Sequence, residues 1–184
     1  VIEIDICKAP IGKQDQYAST FGGFNFTKFS KDSTIVESLR LDDRIVNELE
    51  YRSVLAYTGK TRLSANIIED QKSRYMSGEN TVSLDMTKEL SFKMKETLLS
   101  GDIFNFAKLL DDAWQFKKDF AKNITSGYID KVYSDAIKNG AMGGKITGAG
   151  GGGFIYLLCE FDRKHDVIDS LNKNGAIPME FSFE

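Results

Sequence analysis

The sequence predicts an α+β fold: an antiparallel sheet covered by helices and preceded by the end of another α+β domain. Three observations carry that expectation. Four helical stretches follow one another between residues 63 and 139, and a fully apolar run, Phe154 to Cys159, comes directly after a glycine-dense loop. The last segment alternates Ile177, Met179, Phe181 and Phe183 with Pro178, Glu180, Ser182 and Glu184. A 3.6-residue period in the middle of the chain and a two-residue period at its end describe helices laid on a sheet.

Taken in order, residues 1 to 7 alternate Ile2, Ile4 and Ile6 with Glu3 and Asp5, which by period reads as a strand, with a helix end as the alternative. After Pro10 and Gly12, Lys13 to Ser19 has helical character and stops near Gly22-Gly23. Phe24 to Phe29 and Thr34 to Leu41 suit a hairpin turned by Lys31-Asp32-Ser33. Tyr51 to Thr58 is β-prone and is closed by Gly59. The helices then run Leu63 to Met76, Val82 to Leu99, from an Asp102 cap through Ile103, Phe106, Ala107, Leu110, Ala113 and Trp114, and from Tyr128 to Ile137, with Asn139-Gly140 as a C-cap. A helix from about Arg163 to Lys173 separates the last two strands, and Pro178 argues that the final one lies at an edge. The change from hairpin to helix-rich pattern places a boundary between residues 1–50 and 51–184.

Composition narrows the function classes. With 24 Lys+Arg against 27 Asp+Glu, a net charge of -3 and no basic block, the chain lacks the footprint of a nucleic-acid binder. An RNA-binding sheet is disfavoured by this acidic balance and by the lack of a basic-aromatic signature on one strand. The longest apolar run, Phe154 to Cys159, is far below the ~20 residues of a membrane helix, so no membrane partner is expected. Cys7, Cys159 and the single His165 cannot build a common zinc site, so no protein-held metal is expected and a reducing, cytoplasmic setting is. His165, in Asp162-Arg-Lys-His-Asp, reads as a surface residue of a first helical turn, and Trp114 as core. The sequence sets no oligomeric state.

Two segments carry chemistry. In Gly12-Lys13-Gln14-Asp15-Gln16-Tyr17, five hydrogen-bonding side chains crowd the start of a helix, and Gly22-Gly23 follow. An aspartate there faces free backbone N–H groups and the positive end of the helix dipole, which favour its ionised form. Helix initiation alone explains one Asp. The density of polar groups suits a polyol-binding site. The second segment, Gly143-Gly-Lys145-Ile-Thr-Gly148-Ala-Gly150-Gly151-Gly152-Gly153, leads straight into the apolar strand. It is either a flexible connection or, clamped between Ile146 and Phe154, a structured turn able to offer backbone N–H groups to an anion. It matches neither the common phosphate loop nor a dinucleotide fingerprint.

Together these segments, and Tyr57-Thr-Gly-Lys60-Thr-Arg62-Leu-Ser64 between them, resemble the GHMP family of small-molecule kinases (galacto-, homoserine, mevalonate and phosphomevalonate kinases) over nearly the whole chain. Within it the chain most resembles the branch that phosphorylates a heptose 7-phosphate at its anomeric hydroxyl, with L-fucose kinase domains as near relatives.

The resemblance implies a ferredoxin-like C-terminal domain over 51–184, residues 1–50 as the remnant of an N-terminal domain, and a helix end rather than a strand before Gly12. It implies that Asp15 is the catalytic aspartate, that Gly148, Gly150, Gly151 and Gly152 belong to the third glycine motif beside the substrate, and that ATP, Mg²⁺ and a phosphorylated sugar are the partners. Lys13, Gln14, Gln16 and Tyr17 are the accompanying substrate-binding candidates. Lys60 and Arg62, where a strand passes into a helix, are the candidates for a substrate phosphate. The family's Pro-x-x-x-Gly-Leu-Gly-Ser-Ser loop is not in these residues. The chain therefore reads as the C-terminal part of a longer kinase or as a relative without activity, and alone it is expected to lack turnover. A non-catalytic small-molecule-binding module is the competing class.

Overall fold

A computed structural model describes residues 12–59 and 64–183. The element order is α1 (Gln14–Phe21), β1 (Asn25–Phe29), β2 (Thr34–Ser38), α2 (Asp43–Arg52), β3 (Ser53–Tyr57), α3 (Ser64–Met76), α4 (Thr81–Ser100), α5 (Ile103–Lys118), α6 (Gly127–Lys138), β4 (Ala141–Ile146), β5 (Phe154–Cys159), α7 (Lys164–Lys173) and β6 (Ile177–Met179). Strands β1 and β2 form an antiparallel hairpin of their own. The other four make one antiparallel sheet in the order β4-β5-β3-β6. From β3 onward this is a β-α-β-β-α-β ferredoxin-like arrangement, with four helices in its first crossover.

Local chemistry explains the helix starts. The Asp102 carboxylate accepts the Asn105 N–H at 3.1 Å, and the Ser126 hydroxyl accepts that of Ile129 at 3.3 Å. One helix departs from expectation: α2 occupies residues 43–52, with Asp42 accepting the Arg44 N–H at 2.9 Å. Residues Tyr51 and Arg52 therefore end a helix instead of opening a strand. The signal was weak because α2 buries only Leu49, so its apolar stripe is short. The final strand is also shorter than its alternation suggests, pairing with β3 only over Ile177–Met179, with Pro178 at the sheet edge as expected. The strand-or-helix reading of residues 1 to 7 lies outside the described residues.

Strand β5 is interior and buried on both faces, which is why it reads as an unbroken apolar run. Ile155, Leu157 and Cys159 face a core built with Trp114, Ile124, Ile129, Val132 and Val167. Leu158 faces a second cluster with Leu49, Leu98, Ile103, Ala107 and Leu110. Helices thus cover both faces, α6 and α7 on the first and α2 with parts of α4 and α5 on the second. Trp114 is fully buried, His165 is exposed, and burial pushes the Cys159 thiol up to about 12, so these three residues have packing or surface roles. No helix among the described residues is long and apolar enough to cross a membrane.

The decisive packing event for the site is the approach of α5 to β4. A Cβ on Gly143 would stand 2.0 Å from the Ala107 carbonyl oxygen, so only glycine lets the helix backbone lie this close to the strand. Tyr133 ties the same junction by donating to Asp111 Oδ1 at 2.6 Å and to the Gly144 carbonyl at 3.2 Å. The end of α5 is thereby set beside the end of β4, where the glycine loop begins.

Candidate functional site

At that junction lies a cleft of about 640 Å³ whose polar lining includes Gln14, Asp15, Lys72, Lys117, Lys145 and Gly148. Asp15 stands in the first turn of α1. Among the described residues, no side chain is bonded to its carboxylate. The loop after β4 is a structured turn. Thr147 donates its N–H to the Phe154 carbonyl at 2.9 Å, Gly151 donates to Ile124 at 2.7 Å, and Thr58 donates to Gly153 at 2.8 Å. Gly148, Gly150, Gly151, Gly152 and Gly153 all have positive φ. At Gly150 a Cβ would also press on Ile124, whose Cγ2 would lie 2.9 Å away.

The sequence candidates divide into groups. Gln14, Asp15 and Gly148 come together in the cleft. Gly150, Gly151 and Gly152 shape the turn beneath it: the Gly151 N–H is spent on Ile124, and Gly151 and Gly152 are buried. Lys13 is exposed at the head of α1, and Gln16 is half-buried. The Tyr17 ring packs parallel to Phe21 at 6.2 Å and edge-on to Phe29 at 5.4 Å, so its ring serves an aromatic cluster. Lys60 and Arg62 lie outside the described residues.

Of the cleft residues that are not among the sequence candidates, which include Gln71 and Lys72, Lys117 and Lys145 stand beside the glycine loop. Lys117, in the last turn of α5, donates from Nζ to the Gly148 carbonyl. Burial, followed by the nearby Lys145 charge, lowers its pKa to about 8. Burial also lowers the pKa of Lys145. The signal for Lys117 is its position on α5: it continues the buried stripe of Leu110 and Trp114, where a charged residue is out of place. Lys145 stands between Gly144 and Ile146 on a strand whose neighbours are buried. Only its quotation within the glycine motif marked it.

The lowered Lys117 pKa carries an expected effect on stability. Lys117 titrates at about 8 in the fold against an ordinary value of 10.5. Below pH 8 it is charged in both states, and the fold bears the full cost of the desolvated cation. Between about 8 and 10.5 the unfolded chain holds a proton that the fold has released, so this group's contribution to stability rises with pH. Lys117→Met is therefore expected to be more stable than wild type at pH 7, with the difference closing by about pH 10. Urea midpoints at both pH values check it, and a constant difference would place the Lys117 cation in solvent.

Comparison with known proteins fits this geometry. Residues 94–177, from α4 through the glycine loop to β6, match the family described as GHMP kinases C terminal. A D-glycero-alpha-D-manno-heptose 7-phosphate kinase of Campylobacter jejuni is 37% identical over 173 residues, covering 94% of this chain and 51% of that protein. A bifunctional fucokinase/GDP-fucose pyrophosphorylase of Arabidopsis thaliana is 25% identical over 154 residues, covering 81% of this chain and 14% of its own length. The crystal structure of a D-glycero-D-manno-heptose 1-phosphate kinase from Bacteroides thetaiotaomicron superposes with a TM-score of 0.67 at 33% identity, covering 99% of this chain and 49% of that one. The chain thus spans about half the length of the heptose-phosphate kinases that it matches. The ferredoxin-like sheet, the glycine turn held against α5 and these likenesses agree: this chain carries the C-terminal domain of the GHMP kinases.

Proposed function

We propose that the chain supplies the acceptor side of an ATP-dependent sugar kinase, which phosphorylates the anomeric hydroxyl of D-glycero-D-manno-heptose 7-phosphate for nucleotide-activated heptose and surface polysaccharide. The observation that carries this reading is the meeting of Asp15 and Gly148 in one cleft with two partly buried lysines, Lys117 and Lys145. Phosphoryl transfer asks little covalent chemistry of a protein, and positioning with charge neutralisation does most of the work. In this reading the Asp15 carboxylate orients the sugar hydroxyl and takes its proton as the oxygen attacks the terminal phosphorus of ATP. An O–P bond forms, the bond to the bridging oxygen breaks, and ADP leaves. Gln14 lines the same cleft and is assigned to sugar hydroxyls. Mg²⁺ would accompany ATP, with its protein ligands expected mainly from the N-terminal part of such a kinase. The division into a remnant at 1–50 and a C-terminal domain at 51–184, and a cytoplasmic setting, belong to the same proposal.

The protein as its gene encodes it tests the reading in a coupled ADP assay with ATP and heptose 7-phosphate, L-fucose or D-galactose as acceptor. Turnover is expected with the heptose 7-phosphate, and its kcat/KM should exceed the others by on the order of 10²-fold. Turnover confined to a free sugar would replace the substrate, and turnover with none would leave the binding module. Lys60 and Arg62 are assigned to the 7-phosphate, with Arg62 able to grip two oxygens at once. Arg62→Ala is expected to raise KM for heptose 7-phosphate by an order of magnitude or more, using ~1.5–3 kcal/mol for a charged hydrogen bond. KM for an unphosphorylated analogue should change much less, and equal effects would remove Arg62 from the phosphate.

A further inference from the structure

Three lysines line the cleft, Lys72 from α3 and, beside the glycine loop, Lys117 from the end of α5 and Lys145 from the end of β4. The latter two are partly buried, and that partial burial lowers the pKa of each. Buried charges ordinarily find a counter-charge. Among the described residues neither lysine has one. Lys117 spends a donor on the Gly148 carbonyl, which is neutral. Asp15 lines the same cleft but forms no ion pair with either lysine, and no carboxylate moderates the repulsion that Lys145 exerts on Lys117. The arrangement has donors on two sides and a Gly148 wall that carries no side chain. A doubly charged tetrahedral anion would neutralise both cations at once.

We propose that Lys117 and Lys145 together form a phosphoryl-binding subsite, with Lys117 held in place by Gly148. The proposal deepens the kinase reading and rests on it for the source of the phosphoryl group. That group is either the one being transferred from ATP or the one the acceptor already carries. Lys117 is the better marker of the two because the Gly148 carbonyl fixes its ammonium beside the loop, and Lys145 supplies a second charge from the strand below. Lysine suits a group that must shift during a reaction, since its three donors rotate about a point charge and do not fix a planar fork.

The test uses the protein as its gene encodes it, with Lys117→Met and Lys145→Met to remove each charge at similar length, and Lys117→Arg to keep it. Inorganic phosphate at pH 7 is the probe, titrated by calorimetry and by its effect on the thermal midpoint. Phosphate is expected to bind and stabilise wild type and Lys117→Arg, while either Met variant loses on the order of tenfold or more in affinity. The Met variants are expected to fold with unliganded midpoints at or above wild type. Phosphate acting equally on wild type and both Met variants, or on none of the proteins, overturns the proposal.

Kinetics then separate the two sources. A raised KM for ATP with an unchanged KM for heptose 7-phosphate assigns the pair to the transferring group. The reverse assigns it to the acceptor's own phosphate and displaces Lys60 and Arg62 from that role. The two readings fail differently. Loss of phosphate binding in the Met variants of a protein that phosphorylates no sugar keeps the subsite and ends the kinase reading. Normal turnover and KM values in those variants end the subsite alone.

Discussion

Asp15→Asn is expected to lower kcat by ~10²–10⁴-fold while leaving the KM for ATP nearly unchanged. Asparagine keeps the volume of the side chain and one of its acceptor oxygens, so the geometry of the first turn of α1 survives. It removes the negative charge and the capacity to take the proton of the attacking hydroxyl. A loose transition state, in which proton removal runs late, places the loss towards the lower end of that range. Among the described residues no other carboxylate is placed in the cleft to substitute for it. The measurement is steady-state kinetics in the protein as its gene encodes it, with circular dichroism to show that α1 is retained. A variant with wild-type kcat would return Asp15 to the role of a helix-starting residue.

Gly143→Ala is expected to cost about 3 kcal/mol of stability or more, the upper part of the range for forcing extra volume into a packed interior. The added methyl would sit 2.0 Å from the Ala107 carbonyl oxygen and 2.9 Å from its carbonyl carbon, both backbone atoms of α5. No rotamer change relieves such a clash. Helix and strand must separate, and Lys145, two residues further along β4, moves with the strand. Gly127→Ala is the control: a Cβ there meets nothing within 4 Å, so the change is expected to be neutral or to stabilise by ~0.4–1 kcal/mol. Urea unfolding of both variants decides the matter. A loss below about 1 kcal/mol at Gly143 would show that α5 can withdraw from β4 at little cost.

How much of this was readable in the chain follows from the range of the interactions involved. The stripe of Ile103, Ala107, Leu110 and Trp114 and the Asp102 cap are decided within a few residues, and they correspond to α5. The run Phe154 to Cys159 marks a strand because its burial on both faces leaves no polar position. Helix α2 is the instructive failure. It buries only Leu49 fully, with Ile45 packed beside it, so its identity depends on the sheet beneath it more than on its own period.

The site divides in the same way. Asp15 and Gly148 stand in local patterns unusual enough to be noticed: a polar cluster at a helix start and a loop of positive-φ glycines. Lys117 and Lys145 carry no such pattern. They lie 28 positions apart in the chain, 145 less 117, and become a pair only because the missing Cβ of Gly143 lets α5 close on β4. Residues 14 to 17 likewise look equivalent along the chain, yet the tertiary structure sends Gln14 and Asp15 to the cleft and the Tyr17 ring to Phe21 and Phe29. Caps, periods and turn glycines act through neighbours in sequence and can be read without a structure. The desolvation of a lysine, and which charges share a cleft with it, arise from neighbours in space, and only the packed fold supplies those.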